Sequence, residues 1–174
     1  MALTTFQGPV RSLNGFISQG PGAVSAVSTA AVTLDVNNYS GRILPITLAT
    51  TTITLPTLNA SANPASSGPG SDPNNPNNLG TTYTFVITTA STAVKVITAA
   101  SNFLLGGVSM ADASSAASNF VANGTTTRSI NLNGGTQGGI VGSFFTVTAI
   151  TSTQWLIQGE LITSGGTATP FATS

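Results

Sequence analysis

From residue 31 onward, large apolar and polar side chains alternate with a period of two. Val32, Leu34 and Val36 point one way, with Thr33, Asp35 and Asn37 opposite. Leu44, Ile46 and Leu48 alternate with Ile43, Pro45 and Thr47, and Ile53 and Leu55 with Thr52 and Thr54. Tyr83, Phe85 and Ile87 face away from Thr82, Thr84 and Thr88, and Val94 and Val96 flank an outward Lys95. Ile130 and Leu132 oppose Ser129 and Asn131. Phe145, Val147 and Ala149 alternate with Thr146 and Thr148, and Trp155 and Ile157 with Gln154 and Gln158. This period predicts half-buried antiparallel strands, apolar within and Thr or Gln without. Thr is β-branched, so even the polar face favours extended backbone. Short strands at even spacing predict an all-β chain, an antiparallel β-sandwich or β-barrel. Trp155 falls on the inward register and is expected in the core. The one helix candidate is the Ala- and Ser-rich, weakly amphipathic stretch Met110–Asn119.

The breaks in the pattern are equally regular. Asn123-Gly124 and Asn133-Gly134 are turn signals, and Asn133–Gly139 (NGGTQGG) reads as a glycine hairpin loop. Thr151-Ser152-Thr153 turns one strand into the next. Residues 59–80 differ from their surroundings: four prolines (Pro64, Pro69, Pro73, Pro76) and no apolar residue larger than Ala before Leu79. Such a stretch cannot pack a core and predicts a long exposed loop. Residues 1–30 read as an extended N-terminal arm, broken at Gly8-Pro9, Asn14-Gly15 and Gly20-Pro21-Gly22. Its apolar residues are too dispersed for one helix or strand face. The expected organisation is an arm over 1–30 and a β domain over 31–174.

Composition then narrows the function. The chain of 174 residues has no Cys and no His, and only four basic and four acidic side chains. Ordinary domains carry roughly 25% charged residues; here the share is 5%. Without Cys or His there is no disulfide, zinc finger, thiolate nucleophile or Ser-His-Asp triad. Arg11, Arg42, Lys95 and Arg128 are scattered among Asp35, Asp72, Asp112 and Glu160, with no run of either sign. No nucleic-acid partner is expected, because nothing would neutralise a phosphate backbone. No membrane partner is expected, because no stretch approaches the ~20 apolar residues of a span. The opening MALTTFQGPVR lacks a basic start followed by an apolar run, so no signal peptide is expected. Asp35 and Asp112 are the acids a glycosidase reading would need to converge, and nothing local prepares that pairing. The glycine loop lacks the Lys-Ser/Thr and the following helix of a phosphate loop. The expectation is a protein that is not an enzyme and uses no cofactor or metal. A neutral, apolar-rich, β-prone surface also favours association between copies.

Three segments carry a family resemblance. They are GRILPITLATTTITLP at 41–56, TTYTFVITTASTAVKVITAAS at 81–101 running on into LLGGVSM at 104–110, and the stretch from SINLNGGTQGG to GGTATPF at 129–171. The Thr-Leu-Pro strand end, the Tyr-x-Phe-Val strand, the Gly-Gly-x-x-Gly-x-Phe segment and the late Trp strand occur in that order. The chain thereby resembles small β-rich head decoration (cement) proteins of tailed bacteriophages. In that pattern the loop after Pro56 is short, so the Pro/Asn insertion is a departure.

The resemblance implies a structural virion protein on the outer capsid surface. Its partners would be the major capsid protein and itself, as a homotrimer, and it would stabilise the expanded head by bridging capsid subunits. Phe6, Arg11, Phe16 and Ile17 are the expected capsid-contact residues, as anchors of a strap. Two rival classes remain. A head-fibre or tail-fibre adaptor would share the composition but would be expected to show shaft repeats. A secreted surface adhesin would need a sugar-stacking aromatic face.

Overall fold

The computed structural model describes residues 23–60, 78–112 and 117–174. The elements in order are β1 (Ala31–Thr33), a single helical turn α1 (Val36–Tyr39), β2 (Ile43–Ile46), β3 (Thr50–Thr54), β4 (Thr82–Ile87) and β5 (Ala93–Ile97). They continue with β6 (Phe103–Ala111), β7 (Ala117–Asn123), β8 (Ser129–Leu132), β9 (Phe144–Ala149), β10 (Gln154–Ile162) and β11 (Phe171–Ala172). Two open sheets result. One runs β1-β3-β5-β8-β11, the other β2-β4-β9-β10-β6-β7. The protein is an all-β sandwich, and neither sheet closes into a barrel.

The alternation sets the core. Leu44, Ile46, Tyr83, Phe85, Ile87, Phe145, Val147, Trp155 and Ile157 of the larger sheet meet Ile53, Val94, Val96, Ile130 and Leu132 of the smaller in one buried cluster. Each such side chain contributes about 1.5–3 kcal/mol on burial. Phe85 and Phe145 are register partners on β4 and β9 and stack with centroids 5.0 Å apart. Trp155 is fully buried, as the alternation requires, and tilts against Tyr83 at 5.8 Å.

The sheets are mixed where antiparallel pairing was expected. The β4/β9, β9/β10, β6/β7, β5/β8 and β8/β11 pairs are antiparallel. The β1/β3, β3/β5, β2/β4 and β6/β10 pairs are parallel. The cause is that each strand from β2 to β6 lies in the opposite sheet to its predecessor. A chain that crosses the sandwich and crosses back returns in its original direction, so β2 meets β4, and β3 meets β5, in parallel.

Residues 23–27 extend this coil by one course. Val24 bridges Ile43 and Val27 bridges Ile46, both in parallel, and Val27 is buried. The crossings stack on one another through threonine. Thr47 donates its N–H (3.1 Å) and its hydroxyl (3.0 Å) to the Val27 carbonyl, and the buried Thr51 hydroxyl donates to Thr29 O at 2.7 Å. One course further on, Thr88 donates N–H and hydroxyl to Ile46 O (3.1 and 2.9 Å), and Thr92 N–H donates to Ala49 O at 2.7 Å.

Several local expectations change. Of the helix candidate Met110–Asn119, Met110 and Ala111 end β6 and Ala117–Asn119 begin β7, so these residues are strand and not helix; residues 113–116 lie outside the described residues. A seven-position antiparallel register from Leu105↔Asn123 to Ala111↔Ala117 overrides the weak helical propensity of Ala. Val36 is not in a strand, because Asp35 caps the helical turn there: its carboxylate accepts from Asn38 N–H at 2.8 Å. Asn133–Gly139 is not a hairpin loop. It joins β8 in one sheet to β9 in the other. Thr151–Thr153 does link an antiparallel pair, β9 and β10. Residues 61–77 lie outside the described residues. The segments flanking them are tied together by Asn78, which is buried. Its Oδ1 accepts from Asn59 N–H (2.8 Å) and its Nδ2 donates to Thr57 O (2.8 Å).

A Cβ at Gly159 would fall 2.5 Å from Phe145 Cα and Cβ, so Gly159→Ala forces β9 off β10 and costs about 1–3 kcal/mol, read as a lower urea midpoint. Asn78→Ala removes the two side-chain hydrogen bonds to Asn59 N–H and Thr57 O and costs about 0.5–1.5 kcal/mol for each, whereas replacing 61–77 with a short Gly-Ser linker leaves the unfolding free energy within about 1 kcal/mol of wild type.

Candidate interaction surface

The described charged side chains sit on separate elements. Asp35 is engaged as the α1 cap, with Asn38 Nδ2 also donating to its Oδ1 and Oδ2 at 3.0 and 2.8 Å. Glu160 stands exposed on β10, across from Phe144 on β9 and Ser109 on β6. Asp112 follows the end of β6, and Arg42 precedes β2. Among the described residues no three His, Cys, Asp or Glu side chains cluster as a metal site would require. Asp72 and the expected strap residues Phe6, Arg11, Phe16 and Ile17 lie outside the described residues.

Lys95 projects outward from β5, as its register implies. It lines an open groove of about 390 Å³ on the outer face of the smaller sheet, with Thr52, Asn131 and Gln137 among its neighbours. The Thr50 and Thr92 hydroxyls on the groove wall share a hydrogen bond at 3.0 Å. The groove combines apolar surface at Ala93, Val94 and Leu132 with threonine, asparagine and glutamine side chains and one cation, Lys95.

The glycine loop has no vacant anion cradle. Asn133 Oδ1 accepts from the N–H groups of Gly135, Thr136 and Gln137 at 2.9–3.0 Å. These are the donors a phosphate would need, and the loop's own carboxamide occupies them. Asn123 repeats the device, its Oδ1 accepting from Thr125, Thr126 and Thr127 N–H at 2.9–3.1 Å.

On the outer face of the larger sheet lies an apolar strip. Pro45, Val86 and Phe144 are successive register partners across β2, β4 and β9. Ile43 lies next to them on β2, with Val24 bridged to it, and Val24, Ile43 and Phe144 are each 45–46% exposed. The Thr84↔Thr146 and Thr82↔Thr148 pairs adjoin the strip, the latter joined through their hydroxyls at 2.9 Å. Sequence reasoning placed Phe145 inside and did not single out Phe144. The signal was the Phe-Phe pair itself, since in a strand of period two one of two adjacent aromatics must face outward.

Tyr83 OH and Trp155 Nε1 are buried and have no hydrogen-bond partner among the described residues. Burial first, and the Asp35 carboxylate second, push the Tyr83 phenol above its ordinary value. Both groups lie inside the sandwich, away from the surface strip and the groove. Comparison with family models, with curated proteins and with solved structures finds no match to this chain.

Tyr83 supplies a test of whether this pair is packing or chemistry. Removing an unpartnered buried hydroxyl relieves its desolvation, so Tyr83→Phe should equal or exceed wild type in stability at pH 7. Because the folded phenol is held un-ionised, the associated stability is complete below the unfolded tyrosine value of about 10. It is lost as pH rises from there toward the raised folded value. The wild-type urea midpoint should therefore fall further between pH 9 and 11 than that of Tyr83→Phe. A marked loss of stability in Tyr83→Phe at pH 7 would mean that the hydroxyl has a partner.

Proposed function

We propose that this chain is a non-enzymatic structural protein of a virus particle, a decoration protein on the outer surface of a tailed-phage capsid. Its partners are the major capsid protein and other copies of itself, associated as trimers, and its work is to brace the expanded head by bridging capsid subunits. The observation that carries this reading is the exposed strip of Val24, Ile43, Pro45, Val86 and Phe144 on an almost uncharged β surface. A contiguous apolar strip, flanked by threonine and ending at Glu160 beside Phe144, suits burial against another protein. The sandwich behind it is a stiff support. Residues 2–20, with Phe6, Arg11, Phe16 and Ile17, serve as the strap, and each weak anchor gains strength once its neighbours are bound.

Quantitative mass spectrometry of purified particles tests the reading. A copy number near that of the major capsid protein is expected. A ratio of a few percent would place the chain at a vertex or on the tail and replace decoration with a fibre-adaptor role, and absence from particles would discard both. Deleting residues 2–20 should abolish binding to capsids while leaving the circular-dichroism spectrum of the β domain intact; normal capsid binding by the truncated chain would sink the strap.

A further inference from the structure

The two sheets have four edges, and three of them are short or covered. At one, β1 has three residues; at another, β11 has two. The β2 edge is covered by residues 23–27, where Ser25 and Val27 donate to Ile43 O and Pro45 O at 2.9 and 2.8 Å. The fourth edge is β7, seven residues long, Ala-Ser-Asn-Phe-Val-Ala-Asn. It contains no charge and no proline, the usual residues that keep an edge from pairing.

The hydrogen-bonding direction along β7 follows from its neighbours. Phe103 N–H donates to Thr153 O, and Ala111 O accepts from Thr163 N–H, so the odd-numbered residues of β6 face β10. The even-numbered residues face β7, as the Gly124 N–H to Leu104 O bond (2.8 Å) confirms. Their register partners on β7 are Ala122, Phe120 and Ser118. Ala117, Asn119 and Val121 therefore turn their N–H and C=O groups outward, and among the described residues nothing pairs with them. Val121 is 76% exposed, because its neighbour on the outer face is Gly107, which has no side chain to cover it.

We propose that β7 is a two-fold contact between copies of this chain, strand against antiparallel strand, centred on Asn119. A single strand edge is self-complementary in an antiparallel two-fold pair, and the absence of charge removes the repulsion that identical edges otherwise meet. Centring on Asn119 pairs Ala117 of each copy with Val121 of the other and Asn119 with Asn119. That register uses all six open backbone groups. Centring on Val121 would instead require the Asn123 N–H, which already donates to Thr127 Oγ1 at 3.3 Å. The result is a continuous twelve-stranded sheet across two copies of the six-stranded one. This contact does not depend on the capsid reading and is separate from any three-fold association.

The chain has no cysteine, so one introduced thiol reports cleanly. Facing residues of a hydrogen-bonded antiparallel pair have Cα atoms about 5.5 Å apart, within disulfide reach. Under mild oxidation of the purified chain, Asn119→Cys should cross-link copies in pairs to near completion, while a thiol at exposed Ser164 on the β10–β11 connection should not. In sedimentation equilibrium, Val121→Lys should raise the dissociation constant of the pairwise contact at least tenfold, with an unchanged circular-dichroism spectrum. Two results would overturn the proposal. One is a wild-type chain that stays monomeric at high concentration with no cross-linking at 119. The other is self-association that is indifferent to Val121→Lys and gives no preferential cross-link at 119.

Discussion

Everything in this fold depends on how the chain crosses between the two sheets. In the first half every strand from β2 to β6 changes sheet, so each crossing carries backbone groups through a region where no ladder satisfies them. Threonine resolves this. Thr47, Thr51, Thr88 and Thr92 each offer a hydroxyl to a carbonyl of the crossing beneath, and Thr47, Thr88 and Thr92 add their own N–H groups to the same stack. The crossings thus form a ladder of their own, perpendicular to the strands. The abundance of threonine therefore does two jobs: it supplies β-branched residues for the outer faces and hydrogen-bond donors for the turns.

How much of this was legible depended on whether the information was local. Inward and outward faces were legible, because alternation reports them directly. Tyr83, Phe85, Ile87, Phe145, Val147, Trp155 and Ile157 are all buried where the period placed them. Strand partners were not legible. The same alternation serves parallel and antiparallel neighbours equally, so β2 beside β4 and β6 beside β10 leave no mark in their own residues. Met110–Asn119 misled because Ala and Ser have weak preferences that a register with β6 overrules. Asn78 was hidden inside a stretch that reads as loop throughout, although its side chain closes that stretch at its base. On the surface, Lys95 faced outward as expected, whereas the strip around Phe144 emerged only once β2, β4 and β9 were side by side.

The surface divides into regions with different properties. The outer face of the smaller sheet presents hydroxyls, carboxamides and Lys95. The outer face of the larger sheet presents the apolar strip, flanked by threonine and by Glu160 beside Phe144. The turns that join the sheets consume their own donors, through Asn123 and Asn133, and offer little to an external ligand. Such a surface offers area and open backbone for the contacts proposed above. The sparse charge of the chain is part of the same arrangement.

The position of β10 has a kinetic consequence. It lies between β9 and β6, pairing antiparallel with the strand just before it and in parallel with one some 50 residues earlier. Until residues 154–162 are in place, the larger sheet exists as two unjoined pieces, β2-β4-β9 and β6-β7, each with an open inner edge and an exposed apolar face. The β6–β10 register spans a large loop, so its closure entropy must be met before any contact rewards it. Folding should therefore be slow for a domain of this size, on the order of milliseconds to seconds or longer. The larger sheet cannot be completed until residues 154–162 have left the ribosome. During that interval the half-built sheet is the species most prone to aggregate, so its yield in an expression host should depend on the rate of synthesis and on chaperones as much as on the stability of the finished protein.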